Sequence, residues 1–511
     1  MLFNSFQFIF IFMPSLLVIF YLNQKFKVVS GVNLMIGASV MFYSYYYPPY
    51  LLIILVSVLF NFGVGCLLER IKNGRKQLPQ ALMVFAISAN LLALGYYKYF
   101  DFFASEMSRL IGLNPIFDAV ALPLAISFFT FQQIGYLVDT YTGRQMHVDF
   151  ARYALFILFF PQLIAGPICQ ARELIPQLAK LEHKRRFVAN ISVGLAVFSL
   201  GLFKKTILAD SVSTYADAVF GVAETGAPID FIAAWGGALS FTFQIYFDFS
   251  GYSEMALGLA RCIGIRLPLN FFSPYKALDI IDFWRRWHIT LSRFLRDHIY
   301  IPLGGNRVGQ TRLMVNLMTV MVLGGIWHGA GYTFIIWGTL HGVYLVTTHF
   351  YKSNFGQMRW TWLGPKTAMT WTFFLVVIAW IPFRSESFSG MIAIYQGMIG
   401  WNGVVLPSGL SRFSGAEALL ALGFVQTDVI PIRELAERWA WIAVCWVVVW
   451  FCPNISQIFR KASFIQTYSN RVASRIEFSF SGIWAIFIAL TFFIGVVGML
   501  SAQKEFLYFE F

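Results

Sequence analysis

The chain has 511 residues, 58% of them hydrophobic and 18% aromatic, with only 12% charged and a mean hydropathy of +0.66. Soluble domains carry about a quarter charged residues and disorder needs low hydrophobicity, so both are excluded; 40 Gly and 18 Pro without a period exclude collagen and linker character. The net charge of +13 comes without a soluble basic domain or an aromatic-basic platform, so no nucleic acid is expected as partner and the charge is assigned to membrane topology.

A helix crossing the hydrocarbon core takes about 20 apolar residues, and about a dozen stretches qualify. The fold class is therefore an all-α polytopic membrane protein; a transmembrane barrel would alternate over segments of about ten residues. Residues 6–22 lack a basic n-region before them and a small-residue cleavage site after them, so they read as a retained first span, followed by Lys25 and Lys27. Spans two and three flank Tyr45-Tyr-Tyr-Pro-Pro-Tyr, and Arg70, Lys72, Arg75 and Lys76 follow the third. Because Lys and Arg collect in cytoplasmic loops, the N-terminus is expected outside. Span four ends near Tyr97, its following loop carries Asp101, Glu106 and Asp118 against Lys98 and Arg109, and span five (119–138) returns to Arg144 and Arg152.

Residues 153–167 are apolar but short for a span, broken by Pro161 and Gly166-Pro167, and followed by Arg172, Lys180, Lys184, Arg185 and Arg186. A re-entrant element and a buried connecting helix both fit. Residues 188–203 then cross outward to a loop with Asp210, Asp217, Glu224 and Asp230, and 231–249 cross back. The arginine-rich segment 261–312 is expected to be cytoplasmic or interfacial. Further spans are expected at 313–326, 331–348, 368–383, 439–451 and 482–500, with Glu417, Asp428, Glu434 and Glu437 on an outer loop. Residues 1–400 read as a membrane core that 401–511 complete. No internal repeat is apparent, unlike many secondary transporters. Five cysteines without CxxC spacing indicate neither a disulfide framework nor a zinc site, and read as small core residues.

Ionisable groups at membrane depth are functional candidates by default. In residues 281–297 apolar Phe283, Trp284, Trp287, Leu291, Phe294 and Leu295 recur at helical spacing, with Arg286, Arg293 and Asp297 opposite, which predicts one amphipathic interfacial helix. A helical wheel puts His288 at the edge of the apolar face, pointing inward, where function and simple satisfaction by a backbone carbonyl are both open. The arginines have the ordinary alternative of anchoring to anionic lipid. Within residues 313–342, His328 lies about 24 Å along a helix from Arg312 at 1.5 Å per residue. No acidic residue occurs between Asp297 and Glu386, so desolvation favours a neutral imidazole able to accept a proton. Gly324, Gly325 and Gly329 leave room for a substrate or for a neighbouring helix. His341 is expected to make an interhelical hydrogen bond. Gln244, Tyr246, Asp248, Ser250 and Tyr252 suggest a polar cavity or buried network, with Asp248 orienting a histidine or, by preference, pairing an arginine. No Walker, dinucleotide, HExxH or GxSxG motif is present.

Together these segments resemble the membrane-bound O-acyltransferase family, in the bacterial branch of the alginate O-acetyltransferase AlgI and, more distantly, of the D-alanyl transfer protein DltB. The resemblance is carried by Gly95-Tyr-Tyr-Lys-Tyr-Phe, Leu122-Pro-Leu-Ala-Ile-Ser-Phe-Phe, Pro161-Gln-Leu-Ile-Ala-Gly-Pro and Gly201-Leu-Phe-Lys-Lys. More specific are Tyr246-Phe-Asp-Phe-Ser-Gly-Tyr-Ser, Phe283-Trp-Arg-Arg-Trp-His-Ile-Thr-Leu-Ser, Tyr300-Ile-Pro-Leu-Gly-Gly-Asn-Arg and Gly324-Gly-Ile-Trp-His-Gly-Ala.

The resemblance implies a bundle of roughly 11–13 transmembrane or re-entrant helices around a central funnel, by the same span length. It implies His328 as the essential histidine and His288 as the second functional one. Trp284, Arg285, Arg286, Arg293, Trp327, Asn306, Gln244, Tyr246, Asp248 and Tyr252 follow as donor- or substrate-binding candidates. Further implications are a thioester donor, acetyl-CoA or an acyl carrier, used as substrate with no bound cofactor or metal, and a periplasmic acetyltransferase partner relaying acetyl to an exported polysaccharide. Gln162 departs from the histidine expected in the alginate proteins, which leaves the polymer open. The tail beyond about residue 400 carries no usable motif.

Overall fold

Apolar runs with helix-compatible ends set the architecture. Helix α3 (Pro48–Ile71) begins on prolines, whose missing N–H is no loss in a first turn, and closes on Arg70. The structure, a computed structural model, describes all residues except 46–47, 72–76, 113–119, 145–147, 182–186, 357–363, 408–424, 428–430, 463–464, 466–475, 501–505 and 508–511. Lys72, Arg75, Lys76, Asp118, Lys184, Arg185, Arg186, Glu417 and Asp428, used above for topology, lie outside the described residues, as does the centre of the Tyr45–Tyr50 turn.

Chain order runs α1 (Met13–Phe26), α2 (Gly31–Ser44), α3, α4 (Gln77–Ile111), α5 (Ile126–Thr142), α6 (Phe150–Leu158), α7 (Phe160–Leu163), α8 (Ala171–Leu178) and α9 (Phe187–Phe203). There follow α10 (Asp210–Glu224), α11 (Phe231–Cys262), α12 (Ile280–Trp284), α13 (Ile289–Leu295), α14 (Gln310–His328), α15 (Tyr332–Phe355), α16 (Pro365–Arg384) and α17 (Phe388–Met398). The chain closes with α18 (Ile432–Phe451), α19 (Ile455–Ile458) and α20 (Gly482–Gly498). One parallel pair, β1 (Val405–Pro407) and β2 (Val425–Thr427), is the only sheet among the described residues.

This is an all-α polytopic membrane protein. Among the described residues, five helices are long and apolar enough to cross a membrane: Phe8–Phe26, Pro48–Ile71, Gln77–Ile111, Phe187–Glu224 and Pro365–Arg384. Helices α2 and α20 are shorter apolar helices. Helices α11, α14 and α15 reach 32, 19 and 24 residues. They spend part of that length on buried polar groups such as Asp248, Asn316 and His341, which face protein and dilute the apolar signal.

Contacts divide the chain into two units. The first comprises Met1–Leu202, Gly251–Asn270 and Ile455–Gln503. Its core includes an aromatic cluster in which the Phe42 and Phe160 rings stand 5.1 Å apart, and a polar tie in which Asn61 Nδ2 donates to Asn90 Oδ1 (3.0 Å) and Gln133 Oε1 (2.6 Å), joining α3, α4 and α5. Gly194 of α9 and Gly258 of α11 let their backbones touch, since a Cβ on either would meet the other's carbonyl oxygen at 2.6 Å. The broken helix pair α6–α7 covers Phe150–Leu163, and residues 153–165 are buried throughout. The break falls at Phe159, before Pro161, and a Cβ at Gly166 would strike Gln162 Cα at 2.4 Å. A cavity of about 410 Å³ opens in this unit between α3, α4 and α5, lined by Val56, Phe60, Ala93 and Phe129 over Ser57 and Asn90.

The second unit comprises Phe203–Ser250, Phe271–Asn454 and Lys504–Phe511. At its centre α14 and α15 form an antiparallel hairpin turned by Gly329–Gly331. Gly325 lies against Phe334 and Gly338, Gly338 against Met321, and Gly342 against Met318. For Gly325 the close-packing explanation therefore holds, whereas a Cβ at Gly324 would meet only Leu295 Cδ1, at 3.5 Å. Cys169, Cys262 and Cys445 are buried as expected of core residues, but Cys452 is exposed because it caps the end of α18, where its carbonyl accepts from Lys276 Nζ at 2.8 Å.

Candidate active site

The arginine-rich segment is not one amphipathic helix. It breaks after Trp284 and restarts at Ile289, with His288 between in the left-handed region at φ +40°. The Phe272 N–H takes the Arg286 carbonyl at 2.9 Å, so a crossing strand of chain uses an acceptor the continuing helix would need. For a residue with a Cβ this conformation is held only by its surroundings. The wheel argument thus fails in its premise, yet its conclusion survives: His288 is 0% exposed.

The His288 ring stands edge-on to Phe249 at 4.8 Å, with Phe271 and Trp327 each at 6.4 Å. Its short loop lies outside the spanning helices, and burial pushes its pKa down to about 3, so the imidazole is neutral.

His328 is the last residue of α14, which is helical from Gln310 as expected, and Gly329 after it is extended at φ −161°. Its imidazole is 4% exposed, with Trp327, Trp337 and Phe383 rings at 4.9, 5.0 and 5.1 Å, all edge-on. Trp327, itself buried, therefore bridges His288 and His328.

The remaining candidates divide. Trp284 joins the cluster, with its ring 5.9 Å from Trp337. Tyr246 packs against Tyr275 at 5.3 Å and Trp287 at 6.3 Å, and Tyr275 is held by donating to the Thr242 carbonyl at 2.7 Å. Gln244 is buried with Oε1 unbonded among the described residues. Tyr252 belongs to the first unit, stacked on Phe3 at 4.7 Å. The five polar residues of 244–252 are all buried, spread by the helix around its circumference.

Among the described residues Asp248 pairs with a lysine, not with a histidine or an arginine. Its Oδ1 lies 2.8 Å from Lys205 Nζ, delivered by a π-helical turn, Lys204–Ala209, and its Oδ2 accepts the Leu507 N–H at 2.8 Å. Arg286 is held by Asp282 at 2.8 Å and lies over the Phe272 ring, a structural pairing, whereas Arg285 is exposed and makes no ion pair among the described residues. Arg293 is half-buried on α13. Asn306 is exposed, with no hydrogen bond to either histidine among the described residues, in a loop tied down by Asn316 donating to the Leu303 carbonyl at 3.1 Å.

His341 makes no interhelical hydrogen bond among the described residues; it is 0% exposed among Trp337, Trp284 and Phe283, at 5.0, 5.1 and 6.0 Å. The tail, which carries no motif in the sequence, reaches the site's surroundings: Phe506 and Leu507 are buried, and the Phe506 ring lies 5.9 Å from Phe249, the ring that faces His288. The signal was the aromatic density of the last residues, which reads equally as a span end.

The membrane-bound O-acyltransferase family model matches residues 137–382, which include both histidines. The chain is 37% identical to a peptidoglycan O-acetyltransferase of Helicobacter pylori, across 100% of this chain and 98% of that protein. It is 36% identical to the protein named "Probable alginate O-acetylase AlgI" of Pseudomonas aeruginosa, across 78% of this chain and 75% of that one. To the teichoic acid D-alanyltransferase of Bacillus subtilis it is 24% identical, across 60% of this chain and 77% of that protein. The chain belongs to the membrane-bound O-acyltransferase family and is an acyltransferase enzyme.

Proposed function

We propose that this enzyme transfers acetyl from a cytoplasmic thioester, acetyl-CoA or an acyl carrier, to a hydroxyl outside a bacterial inner membrane, for O-acetylation of an envelope polysaccharide. The carrying observation is the pair of buried imidazoles, His288 and His328, spaced by the single indole of Trp327 at 6.4 and 4.9 Å. His328 acts as general base: it takes the hydroxyl proton as that oxygen attacks the thioester carbonyl. A C–O bond forms, the C–S bond breaks, and the proton passes to the departing sulfur, giving a thiol. Neutral His288 donates its N–H to the carbonyl oxygen as negative charge develops there. Exposed Arg285 attracts the anionic donor at the cytoplasmic face.

Peptidoglycan is favoured over alginate as the final polymer, because the relative named for peptidoglycan matches from end to end whereas the AlgI protein matches over 78% of the chain. A periplasmic partner receives the acetyl group and passes it to the glycan. His328→Gln, in cells and as purified protein, tests the reading. We expect thiol release from acetyl-CoA to fall by about 10²–10⁴, the usual worth of a general base, with loss of ester-linked acetate from peptidoglycan. Unchanged thiol release at normal expression defeats His328 as the general base, and absence of thiol release by the wild type favours a transporter. Loss of acetate from a different polymer defeats the peptidoglycan assignment alone.

A further inference from the structure

Helix α15 presents Trp337 and His341 one turn apart on one face, and α12 lays Trp284 and Phe283 against them. Both ring nitrogens of His341, Nε1 of Trp284 and Nε1 of Trp337 are buried without a hydrogen-bond partner among the described residues. The three nitrogen-bearing rings lie close together, 5.1 Å from Trp284 to His341 and 5.0 Å from Trp337 to His341. Buried polar atoms are rarely left so, and four at one spot, where phenylalanines would pack as well, mark a place that holds a polar group.

We propose that His341, Trp284 and Trp337 form a subsite for a secondary amide of the donor's thiol arm, an inference that rests on the thioester reading above. The donor inventory selects that ligand. An indole only donates, while a neutral imidazole donates once and accepts once, so the set offers three donors and one acceptor. An amide carbonyl, with two lone pairs, accepts from the two indole N–H groups, and its N–H meets the imidazole acceptor. The subsite has no cation for a phosphate.

Its position fits the arm of a thioester. The Trp337 ring stands 5.0 Å from His328 as well as from His341, so one indole separates the subsite from the proposed base. His341 lies along α15 toward the end where Lys352 pairs with Asp279 at 2.6 Å and next to the helix bearing exposed Arg285. A donor entering from that charged end would pass His341 before its carbonyl reaches His328. In arms of the pantetheine type two methylenes link the sulfur to the nearest amide, which matches a subsite one ring away.

The test uses purified full-length protein and two acetyl thioesters: that of N-acetylcysteamine, which keeps the amide, and that of mercaptoethanol, which lacks it. We expect the wild type to favour the first. His341→Phe should lose about tenfold in kcat/KM for the first, the worth of a buried hydrogen bond, and be unchanged for the second. His341→Gln, which keeps a donor and an acceptor, should restore the preference, and Trp284→Phe should weaken it without loss of thermal stability. Equal losses on both thioesters, or no change on either because resident water satisfies the ring, would overturn the subsite while leaving the thioester reading intact. Failure of the wild type to consume either thioester would overturn both.

Discussion

Lys205 Nζ lies 2.8 Å from Asp248 Oδ1, and each side chain is 3% exposed. The same ammonium reaches Asp210 Oδ1 at 2.8 Å, whose side chain is 18% exposed. Breaking a buried pair leaves an uncompensated charge and costs about 3–5 kcal/mol, whereas removing both partners costs far less. Lys205→Met is therefore expected to lower stability by that amount in detergent, and Lys205→Met with Asp248→Asn to recover most of it, since the amide oxygen still accepts the Leu507 N–H. Thermal and denaturant unfolding of the single and double variants check this; equal losses would show that the pair itself contributes nothing.

Gly324 and Gly325 are adjacent in sequence and opposite in consequence. A Cβ at Gly325 meets the Phe334 carbonyl oxygen at 2.3 Å, while at Gly324 it meets Leu295 Cδ1 at an ordinary 3.5 Å. Gly325→Ala should destabilise by about 1–3 kcal/mol through overpacking. Gly324→Ala should leave stability unchanged or raise it by up to about 1 kcal/mol, since alanine is the better helix former. If substrate passes beside Gly324, that variant keeps its unfolding temperature and loses acyl transfer; unaltered transfer would remove Gly324 from the passage.

What the sequence made legible follows from how local each signal is. Helix α14 through His328 and the inward His288 were readable because one lies on an unbroken apolar run and the other in an aromatic motif. The turn at His288 was not readable: no glycine or proline marks it, and it depends on Phe272 taking the Arg286 carbonyl across sequence. The Lys205–Asp248 pair was hidden because its partners stand 43 residues apart, as their numbers show, while an arginine-rich segment nearby offered a simpler partner. The choice at Gly325 needed the neighbouring helix to settle it.

Arg285 and Arg286 separate along the same line. Arg286 is fixed by Asp282 and by the Phe272 ring, so Arg286→Ala should reduce stability by about 1 kcal/mol, a partly exposed pair being weak, with little change in donor affinity. Arg285 is exposed without an ion pair among the described residues. Arg285→Ala should leave unfolding unchanged and raise KM for acetyl-CoA several-fold at low salt, an effect that fades as salt screens it. Initial rates at low and high ionic strength distinguish the two; a salt-independent KM for Arg285→Ala would exclude steering by this residue.

His288 gives a pH signature. Its pKa falls from 6.5 to about 3 in the folded protein through burial among uncharged rings. Between those values the unfolded chain binds a proton that the folded one does not, so stability rises with pH across this window. The contribution is fully present above pH 6.5 and is lost as pH falls toward 3, at up to about 1.4 kcal/mol per pH unit. Carboxylates titrate in the same range, but they do so equally in His288→Phe and cancel in a comparison. Unfolding midpoints of wild type and His288→Phe between pH 7 and pH 4.5 should therefore diverge most at neutral pH if the histidine is the better fit, and the wild type should lose ground as acid is added. Parallel curves would mean that the ring is hydrated enough to protonate in place. It would then carry a positive charge toward the thioester carbonyl below neutrality, and His288→Phe would remove the acidic limb that this charge imposes on the rate profile.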